Sequence, residues 1–541
     1  MSRILVLGGY GGFGGRISRR LAAKGHEVLV AGRSQAKVNA FCEGHTRLAP
    51  APLDRADIAE GLAKYRPTVV VDASGPFQTM DLTVPRAAIA AGVHYCDIAD
   101  STAFVTSISQ LDAAARAARV TVISGASSVP ALSGAVVRML AEELDTVALV
   151  EIAISASNQA TAGGSVVAAI IGQVGHPFRV WRSQRWHAVH GWQDMRRQDF
   201  VVEGHRPIRR RAVALVDVPD VALLPDRLPG KPSVVFRAGG ELGFQNIALW
   251  LLSWPVRWGL IRSLAPLSRW LLPLQRLTAR LGSDRSAMIV RLFGIKAGER
   301  IERRWTLIAE DGDGPEIPTL AITPLIDRIL AGKVNSGARD AGEALTLNDY
   351  APAFASISVA SATEEIVLPS SLYHRVMGNR FNKLPAPVRS MHNVIRDGGA
   401  HGEAEVLGAE NWLGALIARI IGFPAAGRHD LHVAFEEHHD VERWTRLFGT
   451  TAFHSTLSEK DGRLVERFGP ARFHFDLPSD ETGLSMVMKR WSLLGIPLPL
   501  TLAPRSVAQE WAEDGRFRFD VSIALPLIGR LVHYRGWLTR D

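Results

Sequence analysis

The sequence predicts an α/β chain: a doubly wound parallel sheet, then a mixed α/β domain, then a C-terminal α+β domain. Three observations carry this. A short apolar run, Arg3-Ile4-Leu5-Val6-Leu7, meets Gly8-Gly9-Tyr10-Gly11-Gly12-Phe13-Gly14-Gly15, after which Ile17, Leu21 and Ala22 recur at helical spacing. Apolar runs of strand length then alternate with helical stretches as far as residue 124. Toward the C-terminus the pattern becomes period-two, as in Leu431-His432-Val433-Ala434-Phe435-Glu436, which predicts antiparallel strands with one wet face.

The first stretch reads as strand, turn, helix. Gly9-x-Gly11-x-x-Gly14 has dinucleotide-binding spacing, with Gly9 for the tight turn, Gly11 for close approach to a pyrophosphate and Gly14 for helix packing. The phosphates would sit on the free N–H groups of the helix start. A second strand, residues 26–31, ends in Gly32-Arg33-Ser34, where an NAD site would place a carboxylate. A cation and a hydroxyl suit a 2′-phosphate, so NADP(H) is the expected cofactor. Residues 58–64 then read as a helix and Thr68-Val69-Val70-Val71 as a buried strand, ending in Asp72-Ala73-Ser74-Gly75-Pro76-Phe77. Helices over 85–91 and 104–118 alternate with strands over 93–98 and 120–124. This is the Rossmann pattern.

With 541 residues the chain is long enough for about three domains. Its 47% hydrophobic and 21% charged content excludes a disordered chain. The net charge of +8 suits anionic ligands, but the basic residues are dispersed and no nucleic-acid motif accompanies them, so no nucleic-acid partner is expected. The two cysteines, Cys42 and Cys96, point to a reducing compartment. Met1-Ser2 leads straight into the first strand, so a cytoplasmic protein without a leader is expected.

The set Gly9-Tyr10-Gly11-Gly12-Phe13-Gly14, Gly32-Arg33-Ser34, Ala73-Ser74-Gly75-Pro76-Phe77, Ala91-Gly92-Val93-His94-Tyr95-Cys96-Asp97 and Gly125-Ala126-Ser127-Ser128-Val129-Pro130 resembles the saccharopine dehydrogenase-like family. The resemblance implies an NADP-binding Rossmann domain followed by a mixed α/β substrate domain. Members include amino-acid reductases, polyamine-forming enzymes and a lipid-associated or enoyl-reductase-like branch. It also implies that Gly9, Gly11, Gly14, Arg33, Ser74, Gly75 and Pro76 contact the cofactor; Tyr10, Gly12, Phe13 and Ser34 complete the expected set. Residues 316–339 resemble the part of the family that returns to the first domain. Pro130-Ala131 departs from the Pro-Gly of some relatives.

The expected domains are 1–134 for the cofactor, 135–365 for substrate and dimerisation, and 370–541 for a third unit. In the second, Leu149-Val150-Glu151-Ile152-Ala153-Ile154 reads as a strand. Thr161-Ala162-Gly163-Gly164-Ser165 reads as a helix start, more simply a cap than an anion site. Trp181, Trp186, His187, His190, Trp192 and Asp194 form an aromatic and polar patch, from which His190 or Asp194 could donate a proton beside a hydride acceptor. Residues 247–274 are apolar, rich in Trp, broken at Pro255 and too short for a membrane span. Two readings stand for them: a core helix pair broken at Pro255 and Pro266, or a hairpin lying on a membrane face or a second copy of the chain.

Residues 366–371 read as a connector. Leu384-Pro385, Met391-His392, Gly515-Arg516-Phe517 and Tyr534-Arg535-Gly536-Trp537-Leu538 then resemble a bacterial domain of unknown function of the DUF4166 type. Its alternating strands would be covered by helices over 412–421 and 484–494, leaving room for a lipid-like ligand. The cluster His429, His432, Glu436, Glu437, His438, His439 reads as a polar strand face, not a metal site. The function expected is an NADP(H)-dependent oxidoreductase acting on an imine, ketone or enoyl substrate. The other reading is a nucleotide-binding scaffold or sensor at a membrane surface.

Overall fold

The computed structural model describes residues 2–159, 164–267 and 278–540. Apolar runs form a first sheet of β1 (Arg3–Leu7), β2 (Glu27–Gly32), β3 (Leu48–Pro52), β4 (Val69–Asp72), β5 (His94–Asp97) and β6 (Thr121–Ser124). Its order is β3-β2-β1-β4-β5-β6, all parallel, so the chain reverses direction of winding next to β1. Ile4, Leu5, Val6, Val69, Val70 and Val71 are wholly buried, as a sheet covered on both faces requires. The stretch expected as one helix over 104–118 is two, Thr102–Ser107 and Asp112–Ala117, joined by a 3-10 turn.

A second, mixed sheet contains β7 (Thr146–Ala156), β10 (Arg196–Phe200), β11 (Ile208–Leu215), β12 (Ser233–Gly240), β13 (Ser286–Lys296), β14 (Glu299–Ala309) and β16 (Val359–Val367). Beside it β8 (Pro177–Arg182) and β9 (Arg185–His190) make a hairpin. Between β14 and β16 the chain returns to the first sheet, where β15 (Gly337–Asp340) pairs parallel to β6 as a seventh strand. The two faces of the second sheet differ in partner. Val150, Ile152, Phe236, Val290 and Leu292 share one core with the nucleotide-binding sheet, while Leu149, Val235 and Phe293 pack on Ile395 of the C-terminal unit.

That unit holds β17 (Asp397–Leu407), β18 (Gly427–His438), β19 (Val441–Phe448), β20 (Thr451–Lys460), β21 (Arg463–Phe468), β22 (Ala471–Asp476), β23 (Gly483–Leu493), β24 (Ile496–Leu498), β25 (Arg505–Glu513), β26 (Arg516–Leu525) and β27 (Gly529–Thr539). Pairing of β22 with β23 closes the antiparallel sheet into a barrel. Of residues 484–494, expected as a helix, 484–493 belong to strand β23: Leu484, Met486 and Met488 turn inward and Val487 outward, a period-two pattern that helical counting missed. Phe435, Trp444, Phe448, Phe453 and Tyr534 fill the interior. The helix Trp412–Ile421 forms as expected, yet leaves Trp412 and Ile420 exposed. The connector also begins later than residue 366, because β16 runs to Val367.

Candidate active site

The Gly8–Gly14 loop is built by close backbone approach. A Cβ at Gly14 would lie 2.1 Å from the Gly8 carbonyl oxygen, and one at Gly9 would lie 2.7 Å from that of Val6. Gly8 adopts φ +68, and its own Cβ would meet Ala73 and Ser74 backbone atoms at 2.8–3.0 Å. This is how the structure brings the loop after β1 against the Ser74-Gly75-Pro76 turn after β4. The helix Gly12–Ala23 starts without a side-chain cap or a first-turn acid. Its leading N–H groups and dipole are free for an anion, and Gly11 and Gly12 are exposed at that end. These residues fit a dinucleotide.

At the end of β2, the ring of Tyr10 lies so close to Gly32 that a Cβ there would be 2.2 Å from it. Arg33 beside it is exposed and makes no ion pair among the described residues. Ser34 caps the helix Gln35–Cys42, accepting from Lys37 N at 3.4 Å. Phe13 is half-buried behind the loop. Ser74 donates through Oγ and N to Asp72 Oδ1 at 2.6 and 3.0 Å, and Arg55 reaches Asp72 Oδ2 at 3.3 Å. Ser74 therefore serves to shape the turn.

Further along the same sheet edge, Asp97 ends β5. Its Oδ1 accepts from Gly125 N, Ala99 N and Ser124 Oγ at 2.8–3.0 Å, tying down the Gly125-Ala126-Ser127 loop. Burial pushes its carboxyl up to about 7 against those hydrogen bonds. Two further acids stand at this edge. Gln78, in the turn directly after Pro76, donates to Asp100 at 3.0 Å, and Thr102 Oγ1 donates to Asp217 Oδ1 at 2.7 Å. Burial raises both carboxyls, and the charge of Asp100 raises Asp217 further. Gln173 Oε1 accepts the Asp217 N–H at 3.0 Å, so the helix Gly164–Gln173 also fixes this corner.

Sequence reasoning missed Asp100 and Asp217. The signal available was position alone, each lying a few residues past a strand end, on the carboxyl side of its sheet or close to it. Asp194, expected as a proton donor, is corrected. It bonds Arg237 Nη2 at 2.6 Å and Arg196 at 3.3 Å, and although burial opposes ionisation, those arginines hold it below the usual carboxylate range. Arg237 shares the face of β12 with Val235, turned from the nucleotide-binding sheet. His190 ends β9, makes no side-chain hydrogen bond among the described residues, and is held below its ordinary value by burial and Arg257.

In the histidine cluster, His429 and His432 donate to the Ala425 and Ser183 carbonyls at 2.8 and 2.7 Å. Burial drives His432 down to about 4. Glu436 and Glu437 pair with Arg182 and Arg300 at 2.7 and 2.9 Å. His432 and Glu436 thus join the barrel to the β8–β9 hairpin, and Glu437 joins it to β14 of the second sheet. The anion-binding reading of Thr161-Ala162-Gly163 lies outside the described residues, as do Arg269, Trp270 and Leu274.

Residues 4–123 match the family described as saccharopine dehydrogenase NADP binding domain, and residues 384–538 match a domain of unknown function, DUF4166. Among solved structures, apo saccharopine dehydrogenase (L-Glu forming) from Saccharomyces cerevisiae is 13% identical over 67% of this chain and 100% of its own, with a TM-score of 0.45. Amine dehydrogenase from Mycobacterium smegmatis is 14% identical over 63% of this chain and 95% of its own, with a TM-score of 0.31. Likenesses at this level say nothing about chemistry. A comparison with curated proteins gave no match. The chain therefore joins a segment that matches a saccharopine dehydrogenase NADP-binding domain to a C-terminal segment that matches DUF4166.

Proposed function

We propose that the chain is an NADP(H)-dependent oxidoreductase for an imine, ketone or enoyl compound with an apolar body. The observation that carries this is the convergence of the Gly8–Gly14 loop, the Ser74-Gly75-Pro76 turn and the Asp100 and Asp217 carboxyls along one sheet edge. When bound, the cofactor supplies the hydride. The loop and helix start hold its phosphates; burial, with the charge of Asp100 beside it, favours a proton on Asp217 for the developing anion.

Preference for NADP(H) over NAD(H) rests on Arg33, a cation without an ion-pair partner among the described residues, at the end of β2 where an NAD site holds an acid. Fluorescence titration is expected to show NADPH binding at least tenfold tighter than NADH, and Arg33→Asp to reverse that order. Equal affinities in the wild type would sink the preference.

The helix Gly243–Arg257 supports both an apolar substrate and a membrane-surface scaffold. It continues through Pro255 into its last turn, so the expected break does not occur. No helix among the described residues is long and apolar enough to cross a membrane. Phe244, Ile247, Leu251 and Trp258 nonetheless line one exposed stripe, Trp258 at 64% exposure, with Arg257 and Arg262 beside it. In this reading the stripe rests on an anionic lipid surface. Sedimentation with phosphatidylglycerol vesicles should capture the protein, and Leu251→Ser with Trp258→Ser should weaken capture by about tenfold or more. Unchanged capture would contradict this, and loss of a dimer in the double variant, with no capture of either protein, would assign the stripe to a second copy.

A further inference from the structure

On the face of the second sheet turned from the nucleotide-binding domain, the barrel closes over a cavity of about 550 Å³. Its floor is Glu151, Arg237 and Arg291 from β7, β12 and β13. Its roof is the turn His439-Asp440 between β18 and β19, both residues left-handed at φ 47 and 64, which makes a two-residue hairpin loop. Most charges here are matched. Arg237 and Arg291 share Glu151 at 3.6 and 3.2 Å, Arg291 also holds Glu302 at 2.8 Å, and Arg300 holds Glu437 at 2.9 Å.

Two lining arginines are left over. Arg197 and Arg396 have no acidic partner among the described residues, and Arg396 Nε is buried without a hydrogen bond. The Arg396 guanidinium stands 5.2 Å from the Phe293 ring centroid, while Arg291 stands 4.8 Å from the same ring, so two cations crowd one aromatic side chain. The crowding extends to Arg237, whose guanidinium is lowered by burial and by Arg196. Surplus positive charge in a partly enclosed space is costly until an anion enters. Leu149, Val213, Ile289 and Leu368 make one part of the wall apolar, while Gln198, Asp199 and His438 line the remainder. The volume is that of a small-molecule site.

We propose that this cavity binds a small molecule with an oxyanion head, carboxylate or phosphate, and a short apolar body, gripped by Arg396 and Arg197 where the second sheet meets the barrel. The site is separate from the dinucleotide cradle and does not depend on the oxidoreductase reading. The test is calorimetric titration of the full chain with succinate and with inorganic phosphate, at ionic strength held constant with sodium chloride. It is run in an Arg33→Asp background to remove the phosphate-binding corner of the nucleotide site. One-to-one saturable binding of at least one probe is expected, weakened about tenfold or more by Arg396→Gln and by Arg197→Gln separately. Arg197 is exposed, so its variant keeps the fold and decides the matter if Arg396→Gln does not. Absence of saturable heat with both probes, or unchanged affinity in folded Arg197→Gln, overturns the site.

Discussion

Gly14→Ala is expected to weaken NADPH binding by at least a hundredfold, measured by fluorescence titration, and to lower the thermal midpoint. The added methyl would lie 2.1 Å from the Gly8 oxygen and 2.8 Å from its carbonyl carbon, both backbone atoms that cannot rotate aside. Relief requires Gly8 to move, and Gly8 is already packed on Ala73 and Ser74. The strain therefore spreads from the phosphate loop into the turn after β4, disturbing both walls of the cradle. Overpacking of this kind costs about 1–3 kcal/mol or more in stability. Unaltered NADPH affinity in a folded variant would show that the cofactor is held elsewhere.

Asp217→Asn is expected to reduce kcat for carbonyl, imine or enoyl reduction by about 10²–10³-fold while leaving NADPH affinity unchanged. The carboxamide can still accept the Thr102 hydroxyl, so the corner keeps its shape but loses its transferable proton. The sign of the pH dependence follows from the raised carboxyl. Reduction needs the protonated acid, so the wild-type rate falls as pH rises through that raised value. Asp100→Asn removes the neighbouring charge, lowers the Asp217 carboxyl and moves the falling limb to lower pH. A limb that stays in place in both variants would remove the pair from the chemistry.

The glycine-loop geometry was legible because its physics is local. Gly9, Gly11 and Gly14 are fixed by a turn and a helix start within one short segment, and Arg33 by the next strand end. The acid pair was not, since Asp100 and Asp217 come together only when the second sheet packs on the first. Asp194 misled for the same reason: nothing near it in sequence announces Arg237 on another strand. Residues 484–493 carry enough apolar residues to pass for a helix, and it is pairing with β22, β24 and β25, distant or unannounced in the sequence pattern, that makes them strand. The arginine-lined cavity draws on both the second sheet and the barrel, so no stretch of sequence displays it.

The most direct measurement is NADPH absorbance on incubating the purified chain with a panel of ketones, preformed imines and enoyl compounds bearing aliphatic chains. The account predicts substrate-dependent oxidation of NADPH by the wild type, lost in Gly14→Ala and strongly reduced in Asp217→Asn. Tight NADPH binding with no oxidation by any class in the panel would contradict it and leave the nucleotide-binding scaffold in its place.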